Sequence, residues 1–180
     1  GTARGQIAIQ HRHPDATGRV FYEEAVALNA LCTRFNAPLF INGRLDIALA
    51  LKCHLHLPSA SAPVIDYRAQ LPQPYCISTS VHNADELPRA RGASFILLSP
   101  VFTPRSKPHD TRAPLGIDGF NTLRALAPCP TFALGGIDVS NAHLLPADCG
   151  VATASSVVHS DDPADAVCKL FRSIAGRSLV

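Results

Sequence analysis

Three features are missing from this sequence, and each absence excludes a class of protein. No apolar run approaches the ~18 residues that a membrane-spanning helix needs, so we expect no membrane partner. The N-terminal residues 1–5 contain no apolar segment of the kind that a signal peptide carries. Lys and Arg form no basic run and the net charge is only +2, which argues against nucleic acid as the main partner. We therefore expect a cytoplasmic protein that acts on small molecules.

Close cysteine pairs are missing as well, although the chain has six cysteines. They are spread along the whole chain, at Cys32, Cys53, Cys76, Cys129, Cys149 and Cys168, and none lies in a C-x-x-C pair. This spacing favours reduced structural thiols over a disulfide framework or a metal site. His54 and His56 share one face of a predicted strand, as zinc ligands can, but no third ligand is obvious. We expect no metal there.

Material for a packed core is plentiful, since 47% of the 180 residues are hydrophobic and 17% are charged. The length suits a single domain over residues 1–180. Short apolar runs alternate with helix-like segments seven times. The runs cover residues 6–12, 38–42, 53–57, 74–80, 95–98, 130–134 and 149–154. The helix-like segments cover residues 15–36, 44–51, 63–70, 83–91, 117–127, 138–145 and a last helix that begins at 161 or 162.

This alternation predicts an α/β fold with a parallel sheet, either an open doubly wound sheet or a (β/α) barrel. Polar or Gly residues follow nearly every predicted strand, and a barrel gathers all its strand ends around one site. We therefore predict a (β/α)8 TIM-type barrel. Only seven strands can be counted, and the missing unit would be the first strand and helix. Either the numbered chain begins after that unit or the barrel is incomplete.

A long polar loop follows the fifth predicted strand. It lies within residues 94–116 and contains four prolines together with Ser106, Lys107, His109 and Arg112. A loop of about fifteen residues that leaves a buried strand is usually functional or disordered, and its position between packed segments favours function. We expect it to close over a pocket. Lys107 would then contact phosphate rather than only solvent, and His109 is a candidate acid or base because imidazole titrates near neutrality.

The ends of the last two predicted strands suggest an anion site. Gly135-Gly136 follows the sixth strand, and Ala154-Ser155 follows the seventh. Backbone N–H groups at a helix start favour an anion, although the two glycines could equally form only a tight turn. Elsewhere, Arg12 at a strand end is either directed at a ligand or part of a structural ion pair. His82 either packs at a helix start or touches the site.

Segments along nearly the whole chain, from Gln6 to Phe171, resemble the thiamine phosphate synthase/TenI family. They lie in the expected order at Ile9–Arg12, Leu39–Leu49, His56–Ser59, Ser78–Asn83, Ser99–Phe102, Ser106–Lys107, Pro114–Gly116, Ala133–Ile137 and Gly150–Ser155. Members of this family are (β/α)8 barrels of thiamine biosynthesis, and the similarity begins at their second strand. The synthases, which are transferases, join a pyrimidine diphosphate to a thiazole phosphate and release pyrophosphate, with magnesium.

The resemblance implies a role for each candidate site residue. The pyrimidine or its diphosphate would be faced by Gln10, Arg12 and Asn42. The leaving pyrophosphate would be contacted by Ser80, Ser106 and Lys107. The thiazole phosphate would be held by Gly136 and Ser155, with their neighbours Gly135 and Ala154 in the same two loops. A departing pyrophosphate needs cationic and hydroxyl partners, which agrees with these assignments.

Two departures from the family pattern bear on the reaction. The synthases carry two metal-binding Asp residues, and those positions are Gly43 and Ser61 here. Because Mg²⁺ prefers carboxylate and phosphate oxygens, their loss should weaken it severely. The segment around Gly43 and Pro58 is closer to the TenI branch, whose thiazole tautomerases use a His where this chain has Pro100. The Ser-Pro-Val segment also resembles synthase-like domains fused behind a Nudix hydrolase.

We therefore expect a barrel of this family that binds a thiazole phosphate-type ligand at its carboxyl strand ends. The reaction would be that of a thiamine phosphate synthase, or that of a thiazole tautomerase with another proton carrier. The alternative is a non-catalytic phosphate-binding or regulatory barrel that has lost the metal carboxylates and the tautomerase His. No cofactor is implied, except Mg²⁺ if synthase activity is retained. A homodimer is possible.

Overall fold

The computed structural model describes residues 7–103 and 112–175 of the chain. The strands are β1 Ile9–His11, β2 Leu39–Asn42, β3 His54–Leu57, β4 Ile77–Val81, β5 Phe95–Leu98, β6 Thr131–Leu134 and β7 Gly150–Ala152. The α-helices are α1 Gly18–Phe35, α2 Leu45–Leu51, α3 Val64–Arg68, α4 Gly116–Leu126, α5 Ser155–Val158 and α6 Pro163–Ala175. None of the described helices is both long and apolar enough to cross a membrane.

The seven strands lie in one sheet in the order of the chain, from β1 to β7. Neighbouring strands run parallel, and the register pairs Ile41 with Leu55 and Leu55 with Ile77. Parallel strands need a crossover between them, which the intervening helices supply. The alternating α/β architecture predicted from the sequence is thus confirmed. Two compact units divide the chain: residues 1–79 with 88–94 form the first, and residues 80–87 with 95–180 form the second.

The core of the first unit lies between one face of the sheet and helices α1, α2 and α3. Alternate strand residues face it, including Ile41, Leu55 and Ile77, all of which are fully buried. They pack with Phe21 and Ala25, which lie four residues apart on α1. The sequence pattern predicted both periodicities, about 3.6 residues per turn in the helix and two residues in the strands. Thr17 begins α1 by accepting a hydrogen bond from the Val20 N–H.

The second unit builds its core from β5, β6 and α4. Ile96 pairs with Thr131 and Leu98 with Ala133, and all four are buried. Phe120 of α4 is fully buried.

Two predicted helices are 3-10 helices instead. Residues Ala84–Ala90 form a 3-10 helix, because Pro88 lies inside it and cannot donate the hydrogen bond that an α-helix needs. Asn83 still caps it, with its Oδ1 accepting from the Glu86 N–H. Only Ala142–Leu144 is helical in the predicted segment 138–145. The short helix α5 was not predicted.

The segment after β5 runs beside the turn after β6. Val101 N–H donates to Leu134 O at 2.9 Å, and Phe102 N–H donates to Gly135 O at 3.0 Å. Gly135 and Gly136 have φ angles of 96° and 63°. A Cβ atom at Gly135 would lie 2.7 Å from Pro100 Cα, and one at Gly136 would lie 2.6 Å from Thr103 O. Both positions therefore require glycine for packing as well as for backbone conformation.

Replacing Gly135 with alanine should destabilise the protein by about 3 kcal/mol, because the added methyl group meets backbone atoms and φ is positive. Gly119→Ala is the matched control. Its Cβ would meet Leu115 Cβ at 3.4 Å inside α4, so we expect a gain of about 0.5–1 kcal/mol. Urea unfolding of the two variants measures both effects, and equal stabilities would contradict the close approach.

Candidate functional site

The sheet of the first unit has a polar face opposite its apolar core. The register places Asn42, His56 and Ser78 side by side on β2, β3 and β4. Because side chains alternate along a strand, these three point away from the face that Ile41, Leu55 and Ile77 present to the helices. A row of three hydrogen-bonding side chains therefore crosses the unit near the carboxyl ends of its strands.

His56 lies at the centre of this row and is almost completely buried, with 3% of its surface exposed. Its Nδ1 lies 2.9 Å from the Oγ of Ser78, which is 1% exposed. Burial, as the larger cause, and the positive charge of Arg12 together lower the pKa of His56 to about 4. The imidazole is therefore neutral at physiological pH, so it contributes hydrogen-bonding groups to this face but no positive charge.

The predicted residues of this unit are distributed around His56. Arg12 is exposed and lies close enough to affect the titration of His56, and Asn42 is half-buried beside it. Gln10 is exposed on β1, where it pairs in register with Phe40. The structure brings Asn42, His56 and Ser78 together on one face, with the charge of Arg12 near His56. One guanidinium among neutral polar groups suits an anionic ligand.

The donor set of this face does not fit Mg²⁺. The two positions where the synthases carry Asp both adjoin Pro58, since a Cβ atom at Gly43 would be 3.8 Å from the Pro58 side chain and the Ser61 N–H donates to Pro58 O at 3.0 Å. Neither Gly43 nor Ser61 supplies a carboxylate. The nearby Asp46 is paired with Arg44 at 3.1 Å, which lowers its pKa. Within the described residues, no group of three His, Cys, Asp or Glu side chains is arranged to hold a metal ion.

In the second unit, the ends of β6 and β7 adjoin each other. Thr153 Oγ1 donates to Ile137 O at 3.1 Å and lies 2.5 Å from Ser156 Oγ. Asn141 Nδ2 donates to Gly136 O at 2.8 Å, so the Gly-Gly turn is held from both sides. Gly135, Gly136 and Ser155 are half-buried and Ala154 is exposed. The two predicted loops are thus neighbours. A tight turn at Gly135-Gly136 is compatible with an anion site beside it.

The ends of β4 and β5 also adjoin each other in this unit. Ser80 is half-buried in β4, and His82 follows the strand. His82 Nδ1 lies 2.5 Å from Ser99 O, and its Nε2 lies 2.5 Å from Nη1 of Arg112. His82 thus links the end of β5 to Arg112. Three other predicted residues, Ser106, Lys107 and His109, lie outside the described part of the chain.

The His56–Ser78 pair was missed at the sequence level. The sequence reveals that His56 lies in a strand, but a parallel register between strands 22 residues apart cannot be read from composition or periodicity. A second unpredicted contact lies at the end of β1, where Glu24 pairs with His13 at 3.0 Å and approaches Nε2 of the buried His11 to 3.3 Å. The His11 ring packs on Phe21 at a tilt of 43°, with 4.2 Å between ring centroids, so it belongs to the core face.

The low pKa of His56 makes a prediction for stability. The pKa of His56 is about 4 in the folded protein and 6.5 in the unfolded chain. Between pH 6.5 and 4 the imidazole is therefore protonated mainly in the unfolded chain, which lowers the free energy of unfolding as pH falls. This group alone should then cost about 3 kcal/mol of stability across that range. Urea unfolding at pH 7 and pH 4.5 should give a smaller loss for His56→Gln than for wild type. Equal losses would refute a neutral buried imidazole.

Comparison with known proteins agrees with this arrangement. A family model described as "Thiamine monophosphate synthase" matches residues 2–158. A thiamine-phosphate synthase of Chloroflexus aurantiacus is 34% identical over 88% of this chain and 74% of its own length. The corresponding enzyme of Albidiferax ferrireducens is 33% identical over 94% of this chain and 80% of its own length.

Solved structures lead to the same family. A thiamine phosphate pyrophosphorylase from Pyrococcus furiosus superposes with a TM-score of 0.82 and 26% identity, over 97% of this chain and 85% of its own. A 3-hexulose-6-phosphate synthase shares the fold with a TM-score of 0.64 and 16% identity, over 93% of this chain and 87% of its own. The strand-end motifs, the parallel α/β sheet and these likenesses agree: the chain belongs to the thiamine monophosphate synthase family of thiamine biosynthesis.

Proposed function

We propose that the chain binds a thiazole phosphate-type ligand through the turn after β6 and the start of α5. The observation behind this proposal is the hydrogen bond from Thr153 Oγ1 to Ile137 O, which makes neighbours of the Gly135-Gly136 turn and the Ala154-Ser155 segment. Both segments carry the residues that the family resemblance assigns to the thiazole phosphate. The Ser155 hydroxyl would donate to a phosphate oxygen beside the backbone N–H groups.

The polar face of the first unit supports a second proposal for this family's other substrate. Arg12 is a cation that acts on His56 at the centre of this row, and Gln10 and Asn42 are uncharged hydrogen-bonding groups. A pyrimidine diphosphate offers both a charged group for the guanidinium and ring atoms for the amides. By resemblance, Ser80, Ser106 and Lys107 would contact the pyrophosphate that leaves. A (β/α)8 barrel is the architecture we propose for the domain, because its strands follow one another in sequential order.

Two reactions are compatible with a thiazole phosphate ligand. A thiamine phosphate synthase would release pyrophosphate, and a thiazole tautomerase would move a proton with a carrier such as His109. The alternative is a non-catalytic binding or regulatory protein that retains the phosphate site. The donor set around Gly43 favours little synthase turnover, since no carboxylate replaces the two Asp residues of the synthases.

Ser155→Ala should weaken thiazole phosphate binding by about tenfold or more, because a hydrogen bond to a charged group contributes about 1.5–3 kcal/mol. Isothermal titration calorimetry measures the dissociation constant. Ser160→Ala is a matched control, since its hydroxyl donates to Asp162 O on the far side of α5 and should leave binding unchanged. Wild-type protein that binds nothing at millimolar ligand would end the phosphate proposal.

Wild-type protein should release little or no pyrophosphate when both substrates and Mg²⁺ are supplied. The double substitution Gly43→Asp with Ser61→Asp should raise Mg²⁺ affinity at least tenfold, because it restores two carboxylates where the chain already approaches itself. Asp tolerates the positive φ of 69° at Gly43 better than most residues. Mg²⁺ titration calorimetry and a coupled pyrophosphate assay provide the readouts, with Gly43→Asn with Ser61→Asn as the uncharged control. Rapid wild-type turnover would establish a synthase instead.

A further inference from the structure

His82 is held in one tautomer by its surroundings in the second unit. Its Nδ1 lies 2.5 Å from the carbonyl oxygen of Ser99 and 3.2 Å from the hydroxyl of the same residue. A carbonyl oxygen can only accept, so Nδ1 carries the proton and donates it. A neutral imidazole protonated at Nδ1 has a lone pair at Nε2. The end of β5 therefore dictates that Nε2 is an acceptor.

Arg112 donates to that lone pair. Its Nη1 lies 2.5 Å from His82 Nε2, and the residue is exposed. A guanidinium has five N–H donors in a fixed plane, so a donation through Nη1 fixes the direction of the others. The chain of contacts runs from Ser99 through His82 to Arg112, and it places a permanent positive charge at the carboxyl ends of β4 and β5.

Glu86 holds the backbone of His82. Glu86 accepts the backbone N–H of His82 through Oε2 at 2.8 Å, and its Oε1 lies 3.5 Å from Asn83 Nδ2. Glu86 therefore completes the cap of the 3-10 helix.

We propose that His82 is a positioning residue that holds Arg112 as an anion contact for a diphosphate or phosphate group beside Ser80. This inference rests on the proposed function, because it assigns another residue to the phosphorylated ligand. Arg112 supplies charge without a metal ion. An Arg in a fixed plane suits phosphate oxygens because two N–H groups reach two oxygens together.

The contact depends on a hydrogen-bond acceptor at position 82. Gln offers an amide oxygen in place of the imidazole Nε2, so His82→Gln should still hold Arg112, whereas His82→Ala removes the acceptor.

Binding of inorganic pyrophosphate, measured by calorimetry at pH 7.5, tests the anion contact. Arg112→Gln should weaken it about tenfold or more, and His82→Ala about fivefold or more. His82→Gln should stay within about threefold of wild type. Arg89→Gln serves as a charge-matched control, because Arg89 is an exposed residue of the 3-10 helix, and it should leave the affinity unchanged. Thermal unfolding establishes that each variant is folded.

A second readout distinguishes positioning from a general structural role. Rescue of pyrophosphate binding by His82→Gln, but not by His82→Ala, shows that an acceptor at this position holds Arg112. ¹⁵N spectra of wild type at pH 7.5 should show the Nδ1–H tautomer at His82.

Several outcomes would overturn the proposal: an Nε2–H tautomer, binding by His82→Gln as weak as that of His82→Ala, unaltered binding by Arg112→Gln, or no pyrophosphate binding by wild type. Thiazole phosphate binding with Ser155→Ala as control decides separately on the proposed function. If wild type binds thiazole phosphate but not pyrophosphate, the proposed function is supported and the proposed role of Arg112 is wrong.

Discussion

The backbone contact between the segment after β5 and the turn after β6 is the constraint on which the second unit depends. Val101 and Phe102 donate to Leu134 and Gly135 on the outward path of the long loop. On the return path, Leu115 and Gly116 donate to Pro100 and Val101. The return end is thus tied to the outward end, which is tied in turn to the turn after β6. Because a buried N–H without a partner costs about 1–3 kcal/mol, these four bonds leave little freedom to the residues beside them.

The first unit depends on a separation of polarity across one sheet. Its strands send Ile41, Leu55 and Ile77 to the helices, and Asn42, His56 and Ser78 to the other face. Burial of a polar face is costly unless its groups are paired. The His56–Ser78 contact meets that condition with a neutral imidazole. Neutrality also avoids a second positive charge near Arg12, so the two causes of the low pKa act in the same direction.

The sequence predicted the architecture better than the contacts of the site. Apolar runs and helical periodicity located all seven strands, because they report burial, which is a property of each residue. Pro88 turned a predicted α-helix into a 3-10 helix, although both share the Asn83 cap. The partners of His56 and His82 could not be predicted, because they lie 22 and 17 residues away in sequence and depend on register. The sequence indicated a tight turn or an anion site at Gly135 and Gly136. It did not reveal that Pro100 and Thr103 approach these glycines closely.

Charge balance separates a synthase from a binding protein in this family. A departing pyrophosphate develops negative charge that must be met where it forms, and a metal ion usually meets most of it. Gly43 and Ser61 remove the carboxylates that would hold such an ion. Fixed guanidinium groups can replace its charge for binding, and we propose that role for Arg112, whose Nη1 lies 2.5 Å from His82 Nε2. They do not replace its Lewis acidity, so a chain that retains the anion sites but lacks the carboxylates keeps affinity more readily than turnover.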